Sequence, residues 1–87
     1  MWFVYILRCV DASFYVGETG DVAKRLALHN EGRGGAHTAK RRPVELAFVE
    51  EHATRATAIV RERQLKGWTR AKKSALIAGR LVELKRL

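Results

Sequence analysis

Trp2-Phe3-Val4-Tyr5-Ile6-Leu7-Arg8-Cys9-Val10, then Asp11-Ala12-Ser13, then Phe14-Tyr15-Val16-Gly17-Glu18 is the stretch that decides the fold. Two runs rich in aromatic and β-branched residues flank a short polar turn, which is the pattern of an antiparallel hairpin. The first run is nearly continuous in apolar residues, so a central strand covered on both faces is expected. A hairpin turning at residues 11–13 brings Tyr5 and Tyr15 near one another toward its open end. Whether they share a face depends on register, because a slip of one residue sends a side chain to the other face. Taken singly, a strand tyrosine packs a core and keeps its hydroxyl wet.

Outward from the hairpin, Gly17 and Gly20 bracket its exit and Asp21 has the chemistry of an N-cap. Val22, Leu26 and the Ala23/Ala27 pair then give helical spacing through His29. Glycines at 32, 34 and 35 cannot continue that helix cheaply, so residues 33–43 are expected to be a basic, glycine-rich loop. Val44 to Glu50 alternates in part and reads as a third strand. Thr54 caps a helix running to Lys66 and broken by Gly67, and Thr69 caps another from Arg70 to Ala78 stopped by Gly79. Residues 80–87 fit either a short helix or a strand. The order is β-β-α-β-α-α, a small α+β domain with a three-stranded antiparallel sheet flanked by helices.

Eighty-seven residues suffice for one domain and not for two cores. The net charge of +8 is unevenly placed: residues 1–50 carry 7 Lys/Arg against 6 Asp/Glu, and residues 51–87 carry 10 against 3. A basic half on a folded domain is the footprint of a polyanion binder, although a solubilising surface has the same composition. The single cysteine, Cys9, has no partner for an intramolecular disulfide. It sits in an apolar run as an inert buried thiol, which fits a reducing cytoplasm. No stretch approaches the ~20 apolar residues that span a bilayer, so no membrane partner is expected. The chain opens directly into Trp2-Phe3-Val4 without a basic leader, so no secretory signal is expected.

Several residues carry possible chemistry. Arg25 and His29 lie four apart and share a helix face, one suited to clamping phosphate and the other to moving a proton near neutral pH. Glu62 lies beside Ala58, Ile59 and Leu65 on its helix and among Arg61, Arg63 and Lys66. A carboxylate on an apolar stripe needs a partner or a cation, and carboxylate oxygen is a natural ligand for Mg²⁺. A Glu62–Lys66 helix pair is the plainer reading. In the loop, Thr38 can donate to phosphate while Lys40, Arg41 and Arg42 supply charge. Lys24, Arg63 and Lys66 extend that basic surface. Trp68 either anchors a helix junction or stacks on a base. A phenol acting as general base needs a neighbouring cation or metal to lower its ordinary pKa of about 10.

Together, Val4-Tyr5-Ile6, Tyr15-Val16-Gly17, Arg25, His29, the Thr38–Pro43 stretch and Glu62 within Arg-Glu-Arg-Gln-Leu-Lys-Gly-Trp resemble the GIY-YIG nucleases. The likeness is to their small stand-alone bacterial members, and it runs from residue 3 to residue 79. It implies a catalytic site on one face of the sheet in a single domain spanning 1–87. By position, Tyr5 is the general base, Tyr15 its hydrogen-bonding partner, Arg25 the phosphate ligand, His29 an assistant and Glu62 the ligand of one Mg²⁺ or Mn²⁺. The implied activity is a metal-dependent, structure-specific DNA endonuclease of repair or recombination, with RNA in place of DNA as the open alternative. One departure is the polar residue, often Asn, that relatives carry after the acid: only Lys73 and Ser74 stand in that region. Two other readings compete. One is a nucleic-acid-binding module that keeps the fold without turnover; the other is a small subunit of a larger complex. A monomer or weak dimer fits all three.

Overall fold

The structure is a computed structural model that describes residues 1–80 and Leu84. Strand β1 (Trp2–Arg8) is the centre of a three-stranded antiparallel sheet of order β2-β1-β3, with β2 (Phe14–Thr19) and β3 (Glu45–His52) at its edges. The apolar run of β1 is accounted for by its position, since Val4, Tyr5, Ile6 and Leu7 are all buried. The strand is two residues shorter than expected, because Cys9 already belongs to the turn: its N–H donates to Ser13 O and its carbonyl accepts from Ala12 N–H, each at 2.9 Å.

Three helices start where the sequence placed them. In α1 (Val22–Asn30) the Asp21 carboxylate accepts from the Lys24 N–H. The Thr54 hydroxyl does the same for Thr57 in α3 (Arg55–Lys66), and Thr69 for Lys72 in α4 (Arg70–Ala78). Each cap satisfies an amide that the first helical turn leaves without a partner. Gly79 ends α4 with φ of 72°, a left-handed conformation that favours glycine. The expected open loop over 33–43 is corrected: it contains one short helix, α2 (Ala36–Ala39). Four residues are too few for an apolar period to announce them. Apart from Arg80 and Leu84, the alternatives for residues 80–87 lie outside the described residues.

The two faces of the sheet carry different cores. Val4, Ile6 and Val16 pack with Ala58 and Leu65 of α3, supported by Trp2, Phe14, Phe48, Trp68, Leu76 and Ile77. Ion pairs from Arg55 to Glu18 at 3.5 Å and from Arg61 to Glu50 at 3.1 Å tie α3 to both edge strands. The opposite core contains Tyr5, Leu7, Cys9 and Val44, with Tyr15 and Leu26 packed against it. A register shift separates the pairs Ile6–Phe48 and Leu7–Leu46, so β3 carries one extra residue there. This bulge breaks the strand's alternation and sends Leu46 and Phe48 to opposite faces. Asn30, at the end of α1, accepts from Val44 N–H at 2.8 Å and donates to Val44 O at 3.1 Å, holding the start of β3 as a neighbouring strand would. Among the described residues no helix is long and apolar enough to cross a membrane.

Candidate active site

Register decides the centre of the site. Tyr5 pairs with Gly17 and Leu7 with Tyr15, so both tyrosines project from one face of the sheet as diagonal neighbours. Their ring centroids are 6.4 Å apart. Opposite Tyr5 on β2 the sheet has no side chain, and the phenol lies in that space: a Cβ on Gly17 would stand 2.4 Å from the Tyr5 hydroxyl oxygen and 2.5 Å from Cζ. Gly17 is therefore required by a close approach across two strands.

His29, near the end of α1, is fully buried against these rings. Its Nε2 is 2.9 Å from the Tyr5 hydroxyl and its Nδ1 is 2.7 Å from the Thr38 hydroxyl. The ring meets Tyr15 edge-on, with centroids 4.9 Å apart. A second glycine permits this packing, since a Cβ on Gly34 would lie 2.1 Å from His29 Nδ1. Burial and then the positive charge of Arg25 lower the His29 pKa, so the imidazole is neutral near pH 7 and has one donor and one acceptor nitrogen. Burial and then the neighbouring Tyr15 push the Tyr5 phenol up to about 12; the charge and hydrogen bond of Arg25 pull it down, and the Glu62 carboxylate adds to the rise. Arg25 and Glu62 thus act on the same phenol, although Glu62 belongs to the helix packed on the other face.

Glu62 is half-buried, and its Oε1 is 3.0 Å from Lys66 Nζ. The expected i,i+4 pair is present in addition to the carboxylate's influence on Tyr5. Among the described residues no three His, Cys, Asp or Glu side chains form a metal-binding group. The donor set fits an Mg²⁺-like ion held by one protein carboxylate, with water and phosphate oxygens completing its shell.

The structure brings Tyr5, Tyr15 and His29 together, links Arg25 and Glu62 to Tyr5 through their charges, and treats the other expected residues differently. Thr38 is a correction: it was expected to donate to phosphate from an open loop, but it is fully buried with its hydroxyl on His29. Arg41 is held by the Asp11 carboxylate at 3.0 Å and the His37 carbonyl at 2.9 Å. Arg42 donates to the carbonyls of Ala39 and Asn30. Both arginines thereby fasten the segment around α2. Lys24, Lys40, Arg63 and Lys66 are exposed. Trp68 is half-buried with Arg61 and Lys72 over its ring, the anchoring role rather than an open stacking platform.

One residue at the site escaped the sequence reading. His37 stacks on Tyr15 with centroids 6.1 Å apart and a 26° interplanar angle. Its Nε2 is 3.1 Å from the Ser13 hydroxyl, which donates to Asp11 at 2.6 Å. Those Ser13 contacts, and then Arg41, lower the Asp11 pKa. The only signal of His37 in the sequence is its place beside Thr38 after Gly34-Gly35.

Comparison with known proteins is consistent with this geometry. Residues 1–75 match the GIY-YIG catalytic domain. The chain is 44% identical over 81 residues to a UPF0213 protein of Bacillus pumilus strain SAFR-032, covering 93% of this chain and 83% of that one. It is 45% identical over 78 residues to a UPF0213 protein of Staphylococcus aureus strain Mu3, covering 90% and 95%. It also resembles the solution NMR structure of a UPF0213 protein from Bacillus halodurans, with a TM-score of 0.58, 35% identity and coverage of 90% and 84%.

Proposed function

The chain belongs to the GIY-YIG catalytic-domain family, and from that premise we propose that it is an endonuclease that hydrolyses phosphodiester bonds in DNA with one Mg²⁺ or Mn²⁺ held by Glu62. The observation that carries this reading is the buried Tyr5–His29 hydrogen bond of 2.9 Å, placed where Arg25 and Glu62 both act on the phenol.

Hydrolysis requires a proton to leave water as oxygen attacks phosphorus and the leaving oxygen departs. Tyr5 is the group that takes that proton, in a pocket where its own proton has His29 Nε2 as an immediate acceptor. A phenol with a pKa of about 12 is not ionised by solvent near neutral pH, so a neighbour able to accept its proton matters more than its average charge. Arg25 binds the phosphate and offsets charge on its non-bridging oxygens. Tyr15, in ring contact with both Tyr5 and His29, excludes water from one side and offers a second hydroxyl to the attacking water. The bound cation would supply Lewis acidity at the phosphoryl oxygen. The exposed Lys24, Lys40, Arg63 and Lys66 supply charge of the kind that holds a phosphate backbone without reading bases, which suits a structure-selective substrate of repair or recombination.

Labelled single-stranded, duplex, flapped and branched DNA, incubated with Mg²⁺ or Mn²⁺, tests the reading. Cutting by the wild type that is lost in Glu62→Ala, with binding retained, is the expected result. Binding by both proteins with no cutting of any substrate would leave a nucleic-acid-binding module.

A further inference from the structure

We propose that Thr38 is a positioning residue that fixes His29 as the Nδ1–H tautomer, leaving the Nε2 lone pair aimed at the Tyr5 hydroxyl. The inference deepens the proposed nuclease reading and rests on Tyr5 being the group that accepts the proton of the attacking water.

The line of groups is continuous and buried. Tyr5, His29 and Thr38 are 2%, 0% and 0% exposed. The contacts run Tyr5 hydroxyl to His29 Nε2 at 2.9 Å, His29 Nδ1 to Thr38 Oγ1 at 2.7 Å, and Thr38 Oγ1 to the Gly35 carbonyl at 3.5 Å. The Thr38 end gives the direction of the protons. The Gly35 carbonyl can only accept, so the Thr38 hydrogen points to it and the Thr38 oxygen is left to accept from Nδ1–H. With Nδ1 protonated, Nε2 is the acceptor and the Tyr5 hydroxyl donates to it at 2.9 Å. The reverse arrangement would turn the Thr38 hydrogen from the Gly35 carbonyl to Nδ1 and leave the Tyr5 O–H without this acceptor.

Threonine suits the position because a hydroxyl both accepts from the imidazole and donates to the carbonyl three residues back, a local bond that β-branching holds in place. Helix α2 presents Thr38, and Gly34 lets the preceding chain close on the Nδ1 edge of the ring, where any Cβ would stand 2.1 Å away. The glycine-rich segment is thus the inner wall of the site. In the reaction, water's oxygen bonds to phosphorus as the bond from phosphorus to the leaving oxygen breaks. Water gives a proton to the Tyr5 oxygen while Tyr5 gives its own to Nε2, so no free phenolate forms beforehand. The leaving oxygen takes a proton from solvent, and the imidazolium returns its proton through Tyr5 after the products leave.

The direct test is ¹⁵N NMR of the His29 imidazole in wild type, Thr38→Val and Thr38→Ser. The expected wild-type result is a protonated Nδ1 and an unprotonated Nε2, kept in Thr38→Ser and redistributed toward Nε2–H in Thr38→Val. In cleavage assays Thr38→Val should lose about 10²-fold in kcat, the low end for a displaced general base, with KM for DNA unchanged and activity restored in Thr38→Ser. A wild-type Nε2–H tautomer, or an unaltered Nδ1–H tautomer in Thr38→Val, would overturn the proposal. If Thr38→Val does not fold, the wild-type and Thr38→Ser spectra still decide. The tautomer is read without turnover, so an inactive wild type would defeat the nuclease reading and leave this result standing.

Discussion

Replacing Gly17 with alanine should uncouple Tyr5 from His29 while leaving every polar group of the site in the sequence. The new methyl would stand 2.5 Å from Tyr5 Cζ and 2.4 Å from its hydroxyl oxygen. Carbon atoms in good contact are ~3.5–4.0 Å apart, so the ring has to retreat by about 1 Å. Retreat by that amount takes the 2.9 Å bond to His29 Nε2 past a useful hydrogen-bond length. His29 cannot follow freely, because it is fully buried between the tyrosines and the Gly34 segment. Overpacking costs about 1–3 kcal/mol and the lost buried hydrogen bond about 1 kcal/mol, giving a destabilisation of about 2–4 kcal/mol. In a domain of this size that lowers Tm by at least about 8 °C. Urea unfolding followed by tryptophan fluorescence measures the first quantity, and His29 imidazole resonances report the displaced bond. Unchanged stability together with unchanged His29 resonances would refute the claim that Gly17 is glycine to admit the phenol.

Other substitutions and pH test separate parts of the site. Glu62→Gln keeps the shape of the side chain and removes its charge: cleavage should be lost, while stability changes by no more than about 0.5 kcal/mol, the size of an i,i+4 helix ion pair. Gly34→Ala should displace His29 from its Nδ1 side, visible as shifted imidazole resonances and reduced kcat with DNA affinity retained. Stability should also depend on pH in two windows. His29 has a lowered pKa in the fold: below its unfolded value of about 6.5 the unfolded chain takes up the proton more readily. Its contribution is therefore present above that pH and lost as pH falls, and the dependence should diminish in His29→Gln. Tyr5 titrates at about 12 in the fold against 10.0 unfolded. Its contribution is present below pH 10 and lost as pH rises through the folded value, which phenolate absorbance at alkaline pH would follow.

What could be read in the sequence was local. The hairpin follows from its apolar runs and polar turn, and three helix starts follow from Asp21, Thr54 and Thr69 each having a side-chain acceptor for an orphan amide. The partnership of Tyr5 and Tyr15 could be suspected, but their common face awaited the register that sets Tyr5 opposite Gly17. The segment around Thr38 was the least legible. Its glycines and cations have the composition of an open loop, whereas Thr38 is buried by a long-range contact with His29. Arg41 and Arg42 each bond one carbonyl within that segment and one acceptor outside it, Asp11 and Asn30. The broken alternation of β3 has the same character: the bulge near Ala47 is a property of its pairing with β1, and no single residue of the strand announces it.

The central claim is that the buried Tyr5 hydroxyl is a working part of a phosphodiester-cleaving centre. Its most direct test is Tyr5→Phe, which removes one oxygen and preserves the ring over Gly17. DNA cleavage in Mg²⁺ and DNA affinity without turnover should be measured side by side on wild type and variant. The expected result is cleavage by the wild type, loss of kcat by at least about 10²-fold in the variant, and equal affinity for DNA. Cleavage by Tyr5→Phe at the wild-type rate would contradict it and reduce Tyr5 to a core residue.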